Sequence, residues 1–270
     1  MPTTPGAPID TARRVAALYD IHGNVRALEA VLDDVEAEGP DAIVVGGDVA
    51  AGPWPRETLD LLAGLRRPVV FVRGNADREL LERARGEGPS ESPDVWDERT
   101  TWAASQLTGR HLELLESFVL SATVAIEGLG LTLFCHATPA ADDVTITPLS
   151  SGARVRRHLG GTGADLIVCG HTHVQFAVSP AGVRLVNAGS VGMPYEGRTG
   201  AFWTMLGPEV SFRHSEYDVA AAADEIAGGP FPDARAFAHE FVLSSYPPDE
   251  TLQVFESQAI EREETGRPSD

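Results

Sequence analysis

Leu166-Ile167-Val168-Cys169-Gly170-His171-Thr172-His173 is the stretch on which the reading of the chain turns. An apolar run of strand length ends in two imidazoles one residue apart. Imidazoles in such a place are poor core residues and good metal ligands. Four earlier apolar runs end in the same way. Residues 15–19 lead into Asp20-Ile21-His22, and residues 43–45 into Gly46-Gly47-Asp48. Residues 69–72 lead into Arg73-Gly74-Asn75-Ala76-Asp77, and residues 131–135 into His136. Each run delivers an Asp, Asn or His at its C-terminal end, which is where open α/β sheets bind ligands.

The intervening segments have helical texture. Asn24 is suited to cap a helix in which Leu28, Val31, Leu32 and Val35 share one face up to Gly39-Pro40. Pro55 suits the first turn of a second helix over 55–65. Strand–helix alternation at these lengths predicts βαβ units and parallel strand pairing. A loop rich in Gly, Pro, Ser and Glu at 86–93 breaks the pattern. Helices are predicted beyond it at 95–107 and 109–117, with Trp96, Trp102 and Leu107 as packing residues.

Residues 119–126 and 131–135 read as a hairpin, and 137–148 as a polar loop. A helix near 150–159 follows, whose Arg154, Arg156 and Arg157 read as a solvated face. Strands at 174–178 and 183–186 flank the turn Ser179-Pro180-Ala181-Gly182. Residues 187–192 are a tight loop, 201–206 and 209–214 a second hairpin, and 218–243 mainly helical. A leader at 1–12 and an acidic tail at 247–270 are expected to be flexible. With no internal repeat and no boundary signal, residues 1–270 read as a single domain.

Composition narrows the chemistry. The net charge is −19, from 40 acidic and 21 basic residues, and every basic residue is arginine. Without lysine there is no Walker-type phosphate loop, no pyridoxal Schiff base and no lysine nucleophile. So acidic a surface disfavours tight binding of duplex nucleic acid, whereas a small anionic substrate remains compatible where bound cations reverse the local field. Cys135 and Cys169, both at the ends of apolar runs, read as buried thiols of a reducing compartment. No stretch has the length of a membrane span, and a cytoplasmic location is the expectation. The oligomeric state is not legible.

Asp20, His22, Asp48, Asn75, His136, His171 and His173 form a donor set of hard oxygens and imidazoles without thiolate. This set suits Mn, Fe, Zn or Ni, and seven donors fit two ions sharing a carboxylate, about 3.5–4 Å apart. The ordered set Asp-x-His, Gly-Asp, Gly-Asn-x-Asp, His and Gly-His-x-His resembles the calcineurin-like metallophosphoesterases over residues 14–215. Asp20-Ile21-His22-Gly23-Asn24 and the 187–192 loop are most similar to the small bacterial phosphodiesterase branch.

The resemblance implies an α/β fold, a four-layer α/β/β/α sandwich of two mixed sheets flanked by helices. It implies that Asp20, His22 and His173 hold one divalent metal, that Asn75, His136 and His171 hold the other, and that Asp48 bridges them, with Mn²⁺ favoured. The activity implied is hydrolysis of a small phosphate ester by a metal-bridging hydroxide. Asp77 and Arg78 join Asp48 as candidate catalytic residues, and Arg73 and Arg78 as phosphate contacts.

One position departs from the family pattern. Ala76 stands where the family usually has a His, its usual acid for the leaving oxygen. One such group is worth about 10²–10⁴-fold, so the departure favours phosphodiesters or activated esters over monoesters. Three other readings stay open: a family-fold binding scaffold with little catalysis, a dinucleoside polyphosphate hydrolase and a protein phosphatase. Ala188-Gly189-Ser190-Val191-Gly192 has part of the outline of a serine nucleophile elbow, but Ala188 occupies its first glycine position. His111, His158, His214 and His239 fit surface or packing roles.

Overall fold

A computed structural model describes residues 9–87 and 94–265. The leader over 1–8, the loop core over 88–93 and the last residues, 266–270, lie outside the described residues. The apolar runs form the strands of two mixed sheets. In one, β2 (Val15–Leu18), β3 (Ala42–Val45) and β4 (Val69–Phe71) are parallel, and β10 (Ala201–Leu206) and β11 (Val210–Ser215) add antiparallel, in the order β11-β10-β2-β3-β4. The other holds β1 (Thr11–Ala12), β5 (Ser121–Ile126), β6 (Gly130–Cys135), β7 (Leu166–Cys169), β9 (Leu185–Asn187) and β8 (Phe176–Val178), in the order β1-β5-β6-β7-β9-β8.

Strand alternation sorts the side chains into layers. Val15, Ala17 and Tyr19 point between the sheets and pack with Val124, Phe134, Leu166 and Val168 of the second sheet. Ala16 and Leu18 point the other way, onto Leu28 and Val31 of α1 (Val25–Glu38) and Leu59 and Leu62 of α2 (Pro55–Ala63). On the far side, Leu133, Cys135 and Ile167 pack against Val155 and Leu159 of α6 (Gly152–Leu159). The result is the four-layer α/β/β/α sandwich. Because β2, β3 and β7 are covered on both faces, they are continuous apolar runs.

Asn24 caps α1 as expected, its Oδ1 accepting the Ala27 amide at 3.2 Å. A helix not foreseen, α3 (Asn75–Ala84), starts inside the Gly-Asn-x-Asp motif; two large buried apolar residues, Leu80 and Leu81, gave little periodicity to read. Helices α4 (Val95–Gln106) and α5 (Gly109–Glu116) fall where expected. Trp96 packs on one face only, its ring 5.4 Å from that of Phe241. It is 44% exposed, with the Arg99 guanidinium over its ring at 4.7 Å. Arg154 departs from the solvated face expected of it: it is only 8% exposed and donates to the Thr145 carbonyl.

The C-terminal fifth forms α7 (Val219–Ala227), the short α8 (Ala234–Phe237) continued by a π-helical turn (Ala238–Leu243), and α9 (Pro248–Thr265). The acidic segment expected to be flexible is therefore helical over 248–265, with Leu252, Glu256 and Ala259 buried on one face. Of the leader only residues 9–12 are described, and there Thr11 and Ala12 pair in parallel with Ala125 and Ile126. Cys135 and Cys169 are buried free thiols. Among the described residues, no helix is long and apolar enough to cross a membrane.

Candidate metal centre

The strand-end motifs converge. The turn after β2 is knitted to the turn after β3 by backbone bonds from Asp20 N to Gly47 O, His22 N to Asp48 O and Gly23 N to Val49 O, at 2.8–3.1 Å. The turn after β7 is tied to the first by His171 N, which donates to Asp20 Oδ2 at 2.9 Å. Asn187 Nδ2 holds that turn from behind, donating to Gly170 O and Thr172 Oγ1.

Five of the seven candidate ligands have left-handed backbones: Asp20, His22, Asp48, His171 and His173, with φ between 46° and 68°. Such conformations cost about 1–3 kcal/mol each for non-glycine residues and cluster at functional sites. Close approach also fixes Gly74: a Cβ there would fall 2.1 Å from Asp48 Oδ1.

Two groups of donors result, in each of which the ligand atoms lie within 4.8 Å of one another. Asp20, His22 and His173 make one; Asp48, His136 and His171 make the other. Asp48 Oδ2 lies 3.4 Å from His136 Nε2 and 3.7 Å from His22 Nε2, between the groups, as a bridging carboxylate requires. His22 Nε2 and His173 Nε2 are 3.2 Å apart, and His173 Nε2 is 3.3 Å from Asp20 Oδ1. Asp20 Oδ1, His136 Nε2 and Asn75 Oδ1 are buried without a hydrogen-bond partner. Buried polar atoms are ordinarily satisfied, and a divalent cation in each group would satisfy Asp20 Oδ1 and His136 Nε2. The residues fit the metals the family implies.

The imidazoles are aimed from behind. His136 Nδ1 donates to Gly46 O at 2.9 Å and His173 Nδ1 to Met193 O at 2.7 Å. A carbonyl only accepts, so each Nδ1 carries the proton and each Nε2 faces the other donors. Tyr195 stacks on His173 with ring centroids 5.2 Å apart, and Thr145 Oγ1 lies 3.3 Å from His171 Nε2. Nothing in the sequence pattern marked Tyr195, Thr145 or Met193, and Asn187 was marked only as the start of the 187–192 loop, without a role. Met193 acts through a carbonyl and Tyr195 through a ring face, and neither they nor Thr145 sit in a recognisable motif.

Burial, aided by the nearby imidazolium of a partner ring, lowers His22 and His171 to about 4. Burial opposes charge on His136 too, but the Asp48 and Asp20 carboxylates outweigh it and hold the ring up to about 10. Asp48 is held well below the usual carboxylate range: burial opposes this, and His136 with the other rings overcomes it. At neutral pH, then, metal-free His22 and His171 present lone pairs while His136 carries a proton that loading must expel. Mn²⁺ binding is expected to release at least one proton per chain at pH 7–8, and affinity should climb with pH towards 10. Titration calorimetry in buffers of differing ionisation enthalpy reads this directly; binding heats independent of the buffer would refute it.

Asp77 is not placed to touch a substrate. Its two oxygens accept from Asp48 N, Val49 N and Gly74 N, all at 2.9 Å, so it shapes the turn that presents Asp48. Burial and the Asp48 charge push it up to about 7. Arg78 is also engaged, with Asp142, Glu82, Asp143 and Glu79. Arg73 donates from Nε to the same buried Asp142 at 3.2 Å. One turn beyond Asn75, Glu79 is raised to about 7 by burial and the Asp48 charge. Ser190 is no nucleophile elbow, for its fully buried hydroxyl donates to Asp20 O and accepts from Met193 N.

A two-sheet sandwich with paired carboxylate–imidazole groups at its strand ends defines a metallophosphoesterase architecture. The calcineurin-like phosphoesterase superfamily domain matches residues 14–206, and the chain belongs to that family. It is 26% identical to the uncharacterised protein MJ0912 of Methanocaldococcus jannaschii over 242 residues, spanning 81% of this chain and 94% of that one. Its fold is similar to that of a metallophosphoesterase from Sphaerobacter thermophilus, with TM-score 0.63 and 25% identity, over 86% of this chain and 100% of the other. The hypothetical protein PH1004 from Pyrococcus horikoshii shares the fold at TM-score 0.72 and 18% identity, over 86% and 99% of the two chains.

Proposed function

We propose that the protein is a phosphodiesterase that hydrolyses a small phosphate ester with two divalent ions, Mn²⁺ favoured. The observation that carries this reading is the pair of donor groups with Asp48 Oδ2 between them and three buried donor atoms left without partners. Asp20, His22 and His173 would hold one ion and Asn75, His136 and His171 the other, with Asp48 shared. Divalent ions there supply Lewis acidity, making water nucleophilic near neutral pH and neutralising charge on the phosphoryl oxygens.

The chain's own residues do the rest. The backbone turns hold the donors in place, and Gly46 O and Met193 O fix the ring orientations. Arg73, anchored through Nε to Asp142, keeps its Nη atoms for a phosphoryl oxygen. Ala76 N donates to Asp48 Oδ1 at 2.8 Å, which puts position 76 beside the shared carboxylate with a methyl where an acid would serve. An activated ester, whose leaving group needs little protonation, suits such a site, as does a diester whose leaving oxygen is assisted by a metal. The net charge supports a small substrate over a polyanion.

The test is turnover of bis-p-nitrophenyl phosphate and p-nitrophenyl phosphate by metal-stripped protein reloaded with Mn²⁺, Zn²⁺ or Mg²⁺. Metal-dependent hydrolysis with kcat/KM in favour of the diester is expected. Because both substrates release the same nitrophenolate, the ratio reads how the site takes the second ester group, and alkyl esters read the missing acid. Faster monoester turnover would overturn the diester preference. Absence of metal-dependent turnover on both would overturn the enzymatic reading in favour of a binding scaffold.

A further inference from the structure

Helix α9 lies outside the segment that defines the family, 14–206, and reaches the surroundings of both donor groups. We propose that α9 is part of the metal-site scaffold, with Glu256 a positioning residue for the loop that sets Thr145 against His171. This inference rests on the metal-centre reading above.

Glu256 is 8% exposed, and one of its oxygens, Oε2, accepts from Thr147 Oγ1 and Ser150 Oγ at 2.6 Å each. That is the length of hydroxyl bonds to a carboxylate, about 2.5–2.7 Å, and such bonds are roughly twice as strong as neutral ones. The same two hydroxyls accept from the loop's own amides, Thr147 N on Ser150 Oγ and Leu149 N on Thr147 Oγ1, at 3.0 and 3.1 Å. A hydroxyl has one proton, so both protons go to Glu256 and the lone pairs fold the turn. Two residues upstream stands Thr145, 3.3 Å from His171 Nε2.

A second clamp reaches the same residue. Arg154 Nη2 donates to Thr145 O at 2.9 Å, and Arg154 Nε lies 3.5 Å from Glu263 Oε1, two turns along α9 from Glu256. On the other donor group, Phe255 contacts Tyr195, whose ring stacks on His173. Leu252 already anchors α9 in the outer core. Buried carboxylate–hydroxyl bonds are directional and are costly to leave half-made, so they fix the loop's position as well as the helix.

The experiment compares the full-length wild type with Glu256→Ala, Glu256→Gln and the milder Ser150→Ala. It measures amide hydrogen exchange in the metal-free protein and calorimetric titration with Mn²⁺. Glu256→Ala is expected to speed exchange at the Thr147 and Leu149 amides and to weaken one of two Mn²⁺ sites by about tenfold, the low end for loss of an outer partner. Ser150→Ala should move both readouts in the same direction by less, and it reports if the alanine variant at 256 does not fold. Glu256→Gln keeps an acceptor oxygen and should restore both.

A lower Tm with exchange raised along α9, the loop amides unmoved and both Mn²⁺ affinities intact would overturn the proposal, as would failure of Gln to rescue. If the wild type binds no Mn²⁺, the metal reading fails on its own, and the loop exchange still decides whether Glu256 positions the loop.

Discussion

Asp48→Asn is expected to fold and yet to hold one divalent ion or fewer per chain. Its diester turnover should fall at least about 10²-fold, the low end of what one electrostatic group contributes at a reacting centre. The fold should survive because Asp48 lies beyond the last residue of β3, and the β3 core contacts come from Ala42, Ile43, Val44 and Val45. The backbone of the turn is also held independently, by Asp77 on its amides. An asparagine oxygen can still accept the Ala76 amide, so the start of α3 keeps that bond. What is lost is the charge. Asp48 Oδ2 lies within 4 Å of rings from both groups, as Asp20 Oδ1 also does, and a neutral amide at 48 cannot offset two dications. Metal analysis, a thermal melt and the diester assay on one preparation decide the matter. Two retained ions with near-normal turnover would remove Asp48 from the bridging position.

The second large effect concerns position 76. Ala76→His is expected to raise turnover of alkyl monoesters by up to about 10²-fold, the low end for a well-placed acid. Nitrophenyl diesters, whose leaving groups need little protonation, should change far less, so the dependence on leaving-group pKa flattens. The placement favours this: residue 76 is in the first turn of α3, its amide is already on Asp48, and its methyl is nearly buried. Metal content has to be measured alongside, because a new imidazole there is also a potential ligand. A parallel Glu79→Gln variant reads whether the carboxyl one turn away already supplies the proton. Equal acceleration of alkyl and nitrophenyl substrates at constant metal content, or none, would show that residue 76 does not face the leaving group.

Much of the fold is legible because burial on both faces of β2, β3 and β7 writes them as unbroken apolar runs. The donors are legible for a related reason. A charged or imidazole side chain directly after such a run has no place in the core and has to face a ligand, water or a partner. Helix α3 was not legible, since its start is fixed by the Gly74–Asp77 cap and the Asp48 turn more than by its own apolar spacing. Arg154 and α9 were misread because charge on a helix usually signals solvent. Here the charges are buried against Thr145, Thr147 and Ser150, partners that lie up to 109 residues away in sequence.

The sequence by itself determined the order of strands and donors, the donor chemistry and the exclusion of lysine-based mechanisms, all properties of residues and their neighbours along the chain. Only the tertiary structure decided which donors meet in which group. It also placed Asp48 between the groups, gave Asp77 the task of holding a turn and left Asp20, Asn75 and His136 with unpartnered atoms. The physical reason is range. Hydrophobic period and capping are set within a few residues, whereas a ligand group is assembled by hydrogen bonds and left-handed turns linking β2, β3, β6 and β7, segments separated by up to about 150 positions.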